Sequence, residues 1–374
     1  MTGESLDGIR IAEIPTASGH RFGHATLDAP ASLNSLTLAM VDRLAAQLER
    51  WIEDPGVAGI VIDAAGDKAF CAGGDVVALY RSIRSTEPGM VPTEAAAFFE
   101  REYRLDYRIH TSPKPVLCWG NGIVMGGGIG LLAGASHRVA TPATRLAMPE
   151  ISIGLYPDVG GSWFLGRAPG RTGLFLALTG APMNAADARF VGLADFVVAH
   201  DDKAAVLETI SASRWEGSRE ADDANLGALL DAHACPAPAS QLRTHYDRID
   251  AIIGHDGLAP ALRRIGTLAD DADRWLSQAG EASRRGSPTS AALAYRLLEA
   301  AKHMSLADVF RLEYQASVGC CVHHDFAEGV RALLVDKDRN PRWQPATLDE
   351  VDDAWIEAHL RPRFDGPHPL ADLA

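Results

Sequence analysis

The chain has 374 residues, 47% of them hydrophobic and 22% charged, which excludes a disordered protein and allows one large domain or two. Its net charge of −14 lacks the basic excess of proteins that bind nucleic acid or anionic membranes, so neither is an expected partner. The five cysteines are odd in number and show no metal-ligand spacing, which favours a reducing, cytoplasmic location. No signal peptide is recognisable near residue 1, and the longest apolar run, residues 123–135, is too short to span a bilayer.

The first half of the chain alternates short apolar runs with amphipathic segments, which predicts a mixed α/β fold. Residues 36–51 carry apolar side chains at helical spacing and are predicted as a helix. Six strands are predicted at residues 11–15, 23–27, 59–63, 115–119, 139–140 and 145–147, the last two pairing with each other.

Strand-like runs disappear after residue 200. Residues 1–200 are therefore predicted as the α/β core and residues 201–374 as a mainly helical C-terminal region. Two helices are expected at about residues 290–303 and 305–320, the first of them capped by a Ser or Thr of the segment 287–290.

The first loop with candidate chemistry is residues 70–75, which follows a predicted strand. Its small residues, Gly73 and Gly74 among them, let the backbone approach a ligand, and a free N–H in such a turn can bind an oxyanion. Asp75 is placed to cap the following helix. A tight structural turn is the alternative interpretation of this loop.

The second candidate is the glycine run of residues 125–130, which opens a predicted helix. Unpaired N–H groups at a helix start suit a developing negative charge. The spacing GxGxxA over residues 128–133 also resembles a dinucleotide-binding motif, for which Glu150 would be the acid. That motif places its acid at the end of a strand, and Pro149, next to Glu150, is a poor strand residue. Only the glycine pattern therefore indicates an oxidoreductase.

The third candidate, residues 148–161, carries Glu150 and Asp158 among glycines, prolines and apolar residues. An acid in such a segment is desolvated more than one on a helix surface, which favours a general base. Helix capping is the alternative role for both acids. His323 and His324 do not predict a metal site, because consecutive helix residues point in different directions and no third ligand has suitable spacing.

Together the three loops resemble the crotonase, or enoyl-CoA hydratase/isomerase, superfamily, whose motifs AGxD, GGG and PE…GxxPxxGG occur in this order over residues 10–200. Residues 176–180, 287–290, 313–314, 325–332, 336–338 and 341–343 extend the similarity to its 3-hydroxyisobutyryl-CoA hydrolase subfamily. The resemblance implies a ββα-spiral core with a helical C-terminal region. It also implies hydrolysis of a short branched 3-hydroxyacyl-CoA, foremost 3-hydroxyisobutyryl-CoA, in valine catabolism.

The same resemblance implies roles for individual residues. The N–H groups of Ala72 and Gly127 match the family's oxyanion-binding positions, and Glu150 and Asp158 match the subfamily's catalytic acids. The two basic residues that the family often has before its LNAL segment are alanines here, so Lys68, Arg81 and Arg84 are the alternative partners for CoA phosphates. The expected substrate contacts are Glu102, Gly73, Gly74, Asp75, Gly126 and Lys68.

One position separates the chemistries of the family. The second glutamate of hydratases corresponds to Gly130, which cannot hold a proton, whereas Asp158 stands where hydratases usually have glycine. Hydrolysis is therefore expected, without a metal or redox cofactor. A hydratase or isomerase on the same fold and a non-catalytic acyl-CoA-binding protein stay as alternatives. Relatives commonly form trimers or hexamers, so a homo-oligomer is an open expectation.

Overall fold

The structure, a computed structural model, describes residues 5–374. Its strands are β1 (Ser5–Leu6), β2 (Ile9–Pro15), β3 (Arg21–Leu27), β4 (Val57–Ala64), β5 (Ala69–Cys71), β6 (Val116–Gly120), β7 (Ile123–Met125), β8 (His137–Ala140), β9 (Arg145–Ala147) and β10 (Phe196–Val197).

The helices are α1 (Leu38–Glu53), α2 (Val76–Ser85), α3 (Thr93–His110), α4 (Gly127–Gly134), α5 (Gly161–Leu165), α6 (Thr172–Thr179), α7 (Ala185–Phe190), α8 (Lys203–Ala212), α9 (Arg219–Ala232), α10 (Gln241–Thr244), α11 (Tyr246–Ile253), α12 (Leu258–Thr267), α13 (Arg274–Arg285), α14 (Pro288–Ala301), α15 (Leu306–Val322), α16 (His324–Val330) and α17 (Asp353–Leu360). Short 3₁₀ turns and one π turn, Arg331–Val335, lie between them. None of the helices described is long and apolar enough to cross a membrane.

The chain forms two compact units, each built from three separate segments. The first unit contains residues 5–74, Leu105–Leu146 and Met183–Ser240. The second contains Asp75–Arg104, Ala147–Pro182 and Gln241–Ala374.

The first unit contains a seven-stranded sheet in the order β1-β2-β3-β4-β6-β8-β10. The strands from β3 to β10 run parallel, while β1 and β2 pair antiparallel at one edge. Helices α8 and α9 pack apolar residues such as Val206 and Leu226 into one core with Phe22 and Trp119. The predicted boundary at residue 200 is therefore wrong, because these two helices cover the sheet of the first unit.

Helix α1 confirms the predicted helix of residues 36–51, two residues later at each end. It begins after Thr37 because the Thr37 hydroxyl accepts the N–H of Met40 at 3.2 Å and so caps the first turn. The buried stripe of the helix consists of Met40, Val41, Leu44, Leu48 and Trp51, the spacing that the sequence shows.

The predicted pairing of residues 139–140 with 145–147 is wrong. Strand β8 joins the large sheet beside β6, whereas β9 belongs to a separate three-stranded sheet with β5 and β7. The turn between them is held by Thr144, whose hydroxyl accepts the N–H of Thr141 at 2.7 Å and lies 2.6 Å from the carbonyl of Gly120. The N–H of Arg145 then bonds to Gly122, which directs the chain to the second sheet.

The regular elements described in the second unit are helices, except for Ala147, the last residue of β9. Helices α14 and α15 confirm the two helices predicted near residues 290–303 and 305–320. Ser287 caps α14 by accepting the N–H of Ser290 at 3.1 Å, and Ser305 caps α15 in the same way through Asp308. The predicted mixed α/β fold with a helical C-terminal region is confirmed.

Candidate active site

The two glycine-rich loops of the first unit lie in direct contact. Residues 71–74 follow β5, and Gly126 and Gly127 open α4 after the neighbouring parallel strand β7. A Cβ atom on Gly128 would lie 2.6 Å from the carbonyl oxygen of Cys71, and one on Gly73 would lie 3.3 Å from that of Met125. Gly73 also has φ of +100°, a conformation that other residues avoid. Glycine is therefore required for the close approach of these backbones.

The N–H of Ala72 is not available to a ligand. It donates to the carbonyl of Leu33 at 3.1 Å, so this residue does not have the free donor that the resemblance implied. Within residues 5–374, the N–H groups of Gly74 and Gly127 have no hydrogen-bond acceptor. Gly74, one of the expected substrate contacts, therefore has the unpaired donor of this loop. Two unpaired N–H groups, one in each loop, can bind a developing oxyanion.

The three predicted acids lie together in the second unit. Glu102 belongs to α3, Glu150 begins the 3₁₀ turn Glu150–Ile153, and Asp158 lies in the loop that leads to α5. Their exposed fractions are 2%, 5% and 4%. One carboxylate oxygen of Glu102 and one of Glu150 are buried with no hydrogen-bond partner in the part of the chain that the structure describes. Such oxygens are free to bind a water molecule or a substrate.

Burial dominates the electrostatics of these acids. It raises the pKa of Glu150 well above its usual range, and the charge of Asp158 raises it further. The pKa of Glu102 is raised by the same two causes in the same order. Burial raises the pKa of Asp158 to about 6, although a hydrogen bond from Tyr103 opposes the shift. Three carboxyl groups that share one apolar site favour a state in which at least one is protonated.

A hydroxyl network beside Asp158 was not found from the sequence. The phenol of Tyr103 lies 2.6 Å from Oδ2 of Asp158 and 2.7 Å from Oγ of Ser317. Ser317 Oγ also lies 2.8 Å from the phenol of Tyr156, which donates to the carbonyl of Glu313 at 2.5 Å. The sequence held no direct signal for this network, because its members come from three distant segments.

Glu313 was also not assigned a role from the sequence, except as part of the family motif. From α15, its two carboxylate oxygens accept the N–H groups of Gly160 and Ser162 at 2.7 and 2.9 Å. The loop that it holds contains Val159 at φ of +52°, which is unfavourable for a β-branched residue. An acid on the buried face of an apolar helix was the one signal that could have identified it.

The remaining predicted residues have local contacts of their own. Asp75 caps α2, since its side chain accepts the N–H of Ala78 at 3.0 Å. Lys68 is exposed and lines a groove of about 400 Å³ in the first unit. Gly130 is buried in α4, and residues Gly127–Gly134 contain no acid. Among residues 5–374, no group of three or more His, Cys, Asp and Glu side chains is arranged to hold a metal ion.

Comparison with protein families identifies the chain. A family model described as enoyl-CoA hydratase/isomerase matches residues 22–360. The chain is 38% identical to the mitochondrial 3-hydroxyisobutyryl-CoA hydrolase of Gallus gallus over 91% of its length and 86% of the relative. It is 36% identical to the mitochondrial enzyme of the same name from Homo sapiens, again over 91% and 86% of the two chains.

Solved structures confirm the fold. A carnitinyl-CoA dehydratase from Mycobacterium thermoresistibile is 37% identical and superimposes with a TM-score of 0.85, covering 98% of this chain and 99% of its own. An enoyl-CoA hydratase from Rhodobacter sphaeroides 2.4.1 is 35% identical with a TM-score of 0.81, and the match covers 95% and 98% of the two chains. The predicted crotonase-like fold is thus confirmed over nearly the whole chain.

Proposed function

The chain belongs to the enoyl-CoA hydratase/isomerase family, and we propose that within it this protein hydrolyses a short branched 3-hydroxyacyl-CoA thioester. The favoured substrate is 3-hydroxyisobutyryl-CoA, which would give 3-hydroxyisobutyrate and free CoA. Relatives of 34–38% identity that carry the name of this hydrolase support the substrate class. A role in valine breakdown and a cytoplasmic location stay predictions of the sequence.

One observation carries the proposal, the burial of Glu150 near a second acid. Among the residues described, Glu150 has one unpartnered oxygen and no cation contributes to its raised pKa, so it is a strong base once ionised. Glu150 is proposed to take a proton from water while the water oxygen attacks the thioester carbon, or to attack that carbon itself. In the first route the C–S bond then breaks, the acyl group leaves as the carboxylic acid and the CoA thiolate takes up a proton. In the second route the C–S bond breaks to give a mixed anhydride with Glu150 and a CoA thiolate, which takes up a proton, and water hydrolyses the anhydride to the carboxylic acid and restores Glu150.

The backbone donors of the first unit are proposed to stabilise the negative charge on the thioester oxygen. Gly127 keeps the role that the resemblance implied, and Gly74 replaces Ala72, whose N–H is already bonded to Leu33. Such fixed donors need no reorganisation during the reaction, and one of them typically contributes about 10²–10³ in rate.

Glu102, the acid of the second unit that lies on α3, is proposed to contact the acyl end of the substrate. Asp158 is proposed to orient the substrate hydroxyl or the attacking water. The groove beside Lys68 is proposed to receive part of the CoA moiety, since its lining includes Ala31 and Asn34 of the segment that replaces the family's basic residues. No step of this proposal requires a metal or redox cofactor.

Hydration of an enoyl-CoA is the alternative reaction on this fold. The dehydratase and the hydratase among the structural relatives favour it, but the helix that would carry a second glutamate has Gly130 at that position. Two-glutamate hydration in this family uses one glutamate to remove a proton from water and the glutamate of this helix to deliver one to the α-carbon, and Gly130 can do neither. Gly130 therefore favours hydrolysis over hydration.

The test is thiol release from 3-hydroxyisobutyryl-CoA, 3-hydroxypropionyl-CoA and crotonyl-CoA, followed with a colorimetric thiol reagent. Glu150→Gln is expected to lower turnover by at least about 10²-fold, the usual scale for a general base, and to leave substrate binding nearly unchanged. Glu94→Gln is the matched control, because Glu94 is exposed on α3.

Each result decides between the alternatives. Near-normal thiol release by Glu150→Gln would remove Glu150 from the mechanism. Loss of the crotonyl-CoA double bond without thiol release would identify a hydratase. Binding of CoA thioesters without any turnover would identify an acyl-CoA-binding protein. Binding of NAD(H) would support the oxidoreductase interpretation.

A further inference from the structure

Four short oxygen–oxygen contacts connect Asp158 to the backbone of α15. They run from Asp158 to Tyr103, from Tyr103 to Ser317, from Ser317 to Tyr156, and from Tyr156 to the carbonyl of Glu313, at 2.6, 2.7, 2.8 and 2.5 Å. All five residues are buried in the second unit. At such distances each contact is favourable only if one proton lies between the two oxygens.

Counting protons shows which state completes the network. Each of the three hydroxyl groups supplies one proton, and the carbonyl at the end supplies none. If Asp158 is ionised, three protons must serve four contacts, and one pair of buried oxygens is left facing each other without a proton. If Asp158 is protonated, four protons serve four contacts, and every hydroxyl donates in the same direction, toward Glu313.

We infer that Asp158 enters the reaction as a carboxylic acid, and that Ser317 and Tyr156, connected to it through the hydroxyl of Tyr103, are positioning residues that stabilise its protonated form. This inference rests on the proposed hydrolysis and specifies its proton donor. The thiolate released when the C–S bond breaks takes the proton of Asp158, while Glu150 has taken one from water. The proton on Glu150 then returns to Asp158 through solvent, which restores the starting state.

The groups around Asp158 disfavour its ionised form. Glu102 lies on α3, Glu150 and Tyr156 precede Asp158 in the chain, and α15 places Glu313, Cys320 and Cys321 within electrostatic range. These groups are acidic or neutral, and among the residues described no lysine or arginine contributes to the pKa shift of Asp158. Burial accordingly raises the pKa of Asp158 to about 6. Because the pKa of Glu150 is raised as well, the two acids act as a pair that shares one proton, and apparent pKa values belong to the pair. The hydroxyl network, which reaches Asp158 at 2.6 Å through Tyr103, is what favours the proton on Asp158.

Three substitutions should shift the pKa of Asp158, two of them downward and one upward. Ser317→Ala and Tyr156→Phe remove the contact that lacks a proton when Asp158 is ionised, so both should lower the pKa of Asp158. Tyr103→Phe removes the donor to the ionised carboxylate, a charge-assisted bond, and should raise it. Simple loss of a buried polar group would raise the pKa in all three variants, because every substitution makes the site less polar.

The experiment is an infrared titration of the protonated carboxyl band of Asp158, identified as the part of the spectrum that Asp158→Asn removes. The wild-type band is expected to disappear with a midpoint at about pH 6. The midpoint should fall by about one pH unit in Ser317→Ala and Tyr156→Phe and rise by a similar amount in Tyr103→Phe, as one hydrogen bond to one protonation state predicts. Ser290→Ala is the control, since Ser290 is a buried serine of α14 whose hydroxyl has no partner among the residues described.

A wild-type protein without an Asp158 band above about pH 4, the ordinary range of an aspartate, would overturn the inference. So would a midpoint that rises or stays constant in both Ser317→Ala and Tyr156→Phe. The high-pH limb of the rate of thiol release should move with the same signs. The infrared midpoints are measured without substrate, so they test the proton network even if the protein fails to hydrolyse the thioester.

Discussion

The carboxylate of Glu313 accepts the N–H of Gly160 at 2.7 Å, across 153 residues of chain. Its other oxygen accepts the N–H of Ser162, so one side chain of the C-terminal region holds both ends of the turn that follows Asp158. The position of Asp158, a proposed catalytic acid, therefore depends on α15, a helix far along the chain from the three loop motifs.

Glu313→Ala should destabilise the protein by about 2–4 kcal/mol, because two buried N–H groups lose their acceptor. Glu313→Gln should cost less, since its amide oxygen can still accept one of them. Urea unfolding measures both. Glu281→Ala, an exposed partner of Arg285, should change the free energy of unfolding by less than about 0.5 kcal/mol. Equal stability of Glu313→Ala and wild type would show that the loop does not depend on this carboxylate.

The raised pKa of Asp158 has a consequence for stability. Its carboxyl group holds a proton to about pH 6 in the folded protein and to about 3.8 in the unfolded chain. The folded state therefore binds more protons in this window, and the free energy of unfolding falls as the pH rises through it. Asp158→Asn does not titrate, so its stability relative to wild type should increase by roughly 2–3 kcal/mol between about pH 4 and about pH 7. A difference that is independent of pH would contradict the shift.

Asp63 should show the opposite pH dependence. Burial by itself would raise the pKa of this residue, but His24 and Lys203, at 3.0 and 2.9 Å, outweigh it and lower the pKa to about 2. The stabilisation is present above about pH 3.8 and is lost as the pH falls through 2. Asp63→Asn should cost about 2 kcal/mol near pH 7 and progressively less in acid. Asp67→Asn is the control because Asp67 is exposed, and an Asp63→Asn cost that persists at about pH 2 would count against the ion pairs.

Gly128→Ala should disrupt the contact between the two loops of the first unit. Its Cβ would lie 2.6 Å from the carbonyl of Cys71 and 2.8 Å from the Cys71 Cβ, so the backbone must move. Loss of thiol release by at least about 10²-fold is expected if this movement displaces an oxyanion donor. Gly227→Ala in α9 is the matched control, since nothing lies within 3.7 Å of the added methyl group and a helical Gly→Ala change should stabilise by about 0.5–1 kcal/mol. Normal activity in Gly128→Ala would separate this contact from catalysis.

Local patterns in the sequence were sufficient for much of the protein. The apolar stripe of α1, the serine caps of α14 and α15, and the three loops with their small residues and acids depend on residues that are close in the chain. Helical spacing, capping side chains and glycine-rich turns act over a few residues, so they can be read without knowing the fold. The order of the loop motifs then led to the family, which the comparisons confirm.

Only the tertiary structure decided which groups are available for chemistry. The N–H of Ala72 is bonded to Leu33 and that of Gly74 is not, a difference that depends on a neighbouring segment. The hydroxyls of the network beside Asp158 come from α3, α15 and the loop before α5, and only the folded chain brings them to hydrogen-bond distance. Burial and long-range contacts determine the pKa of an acid and whether an N–H is already hydrogen-bonded. Neither property can be predicted from residues that are neighbours in the sequence.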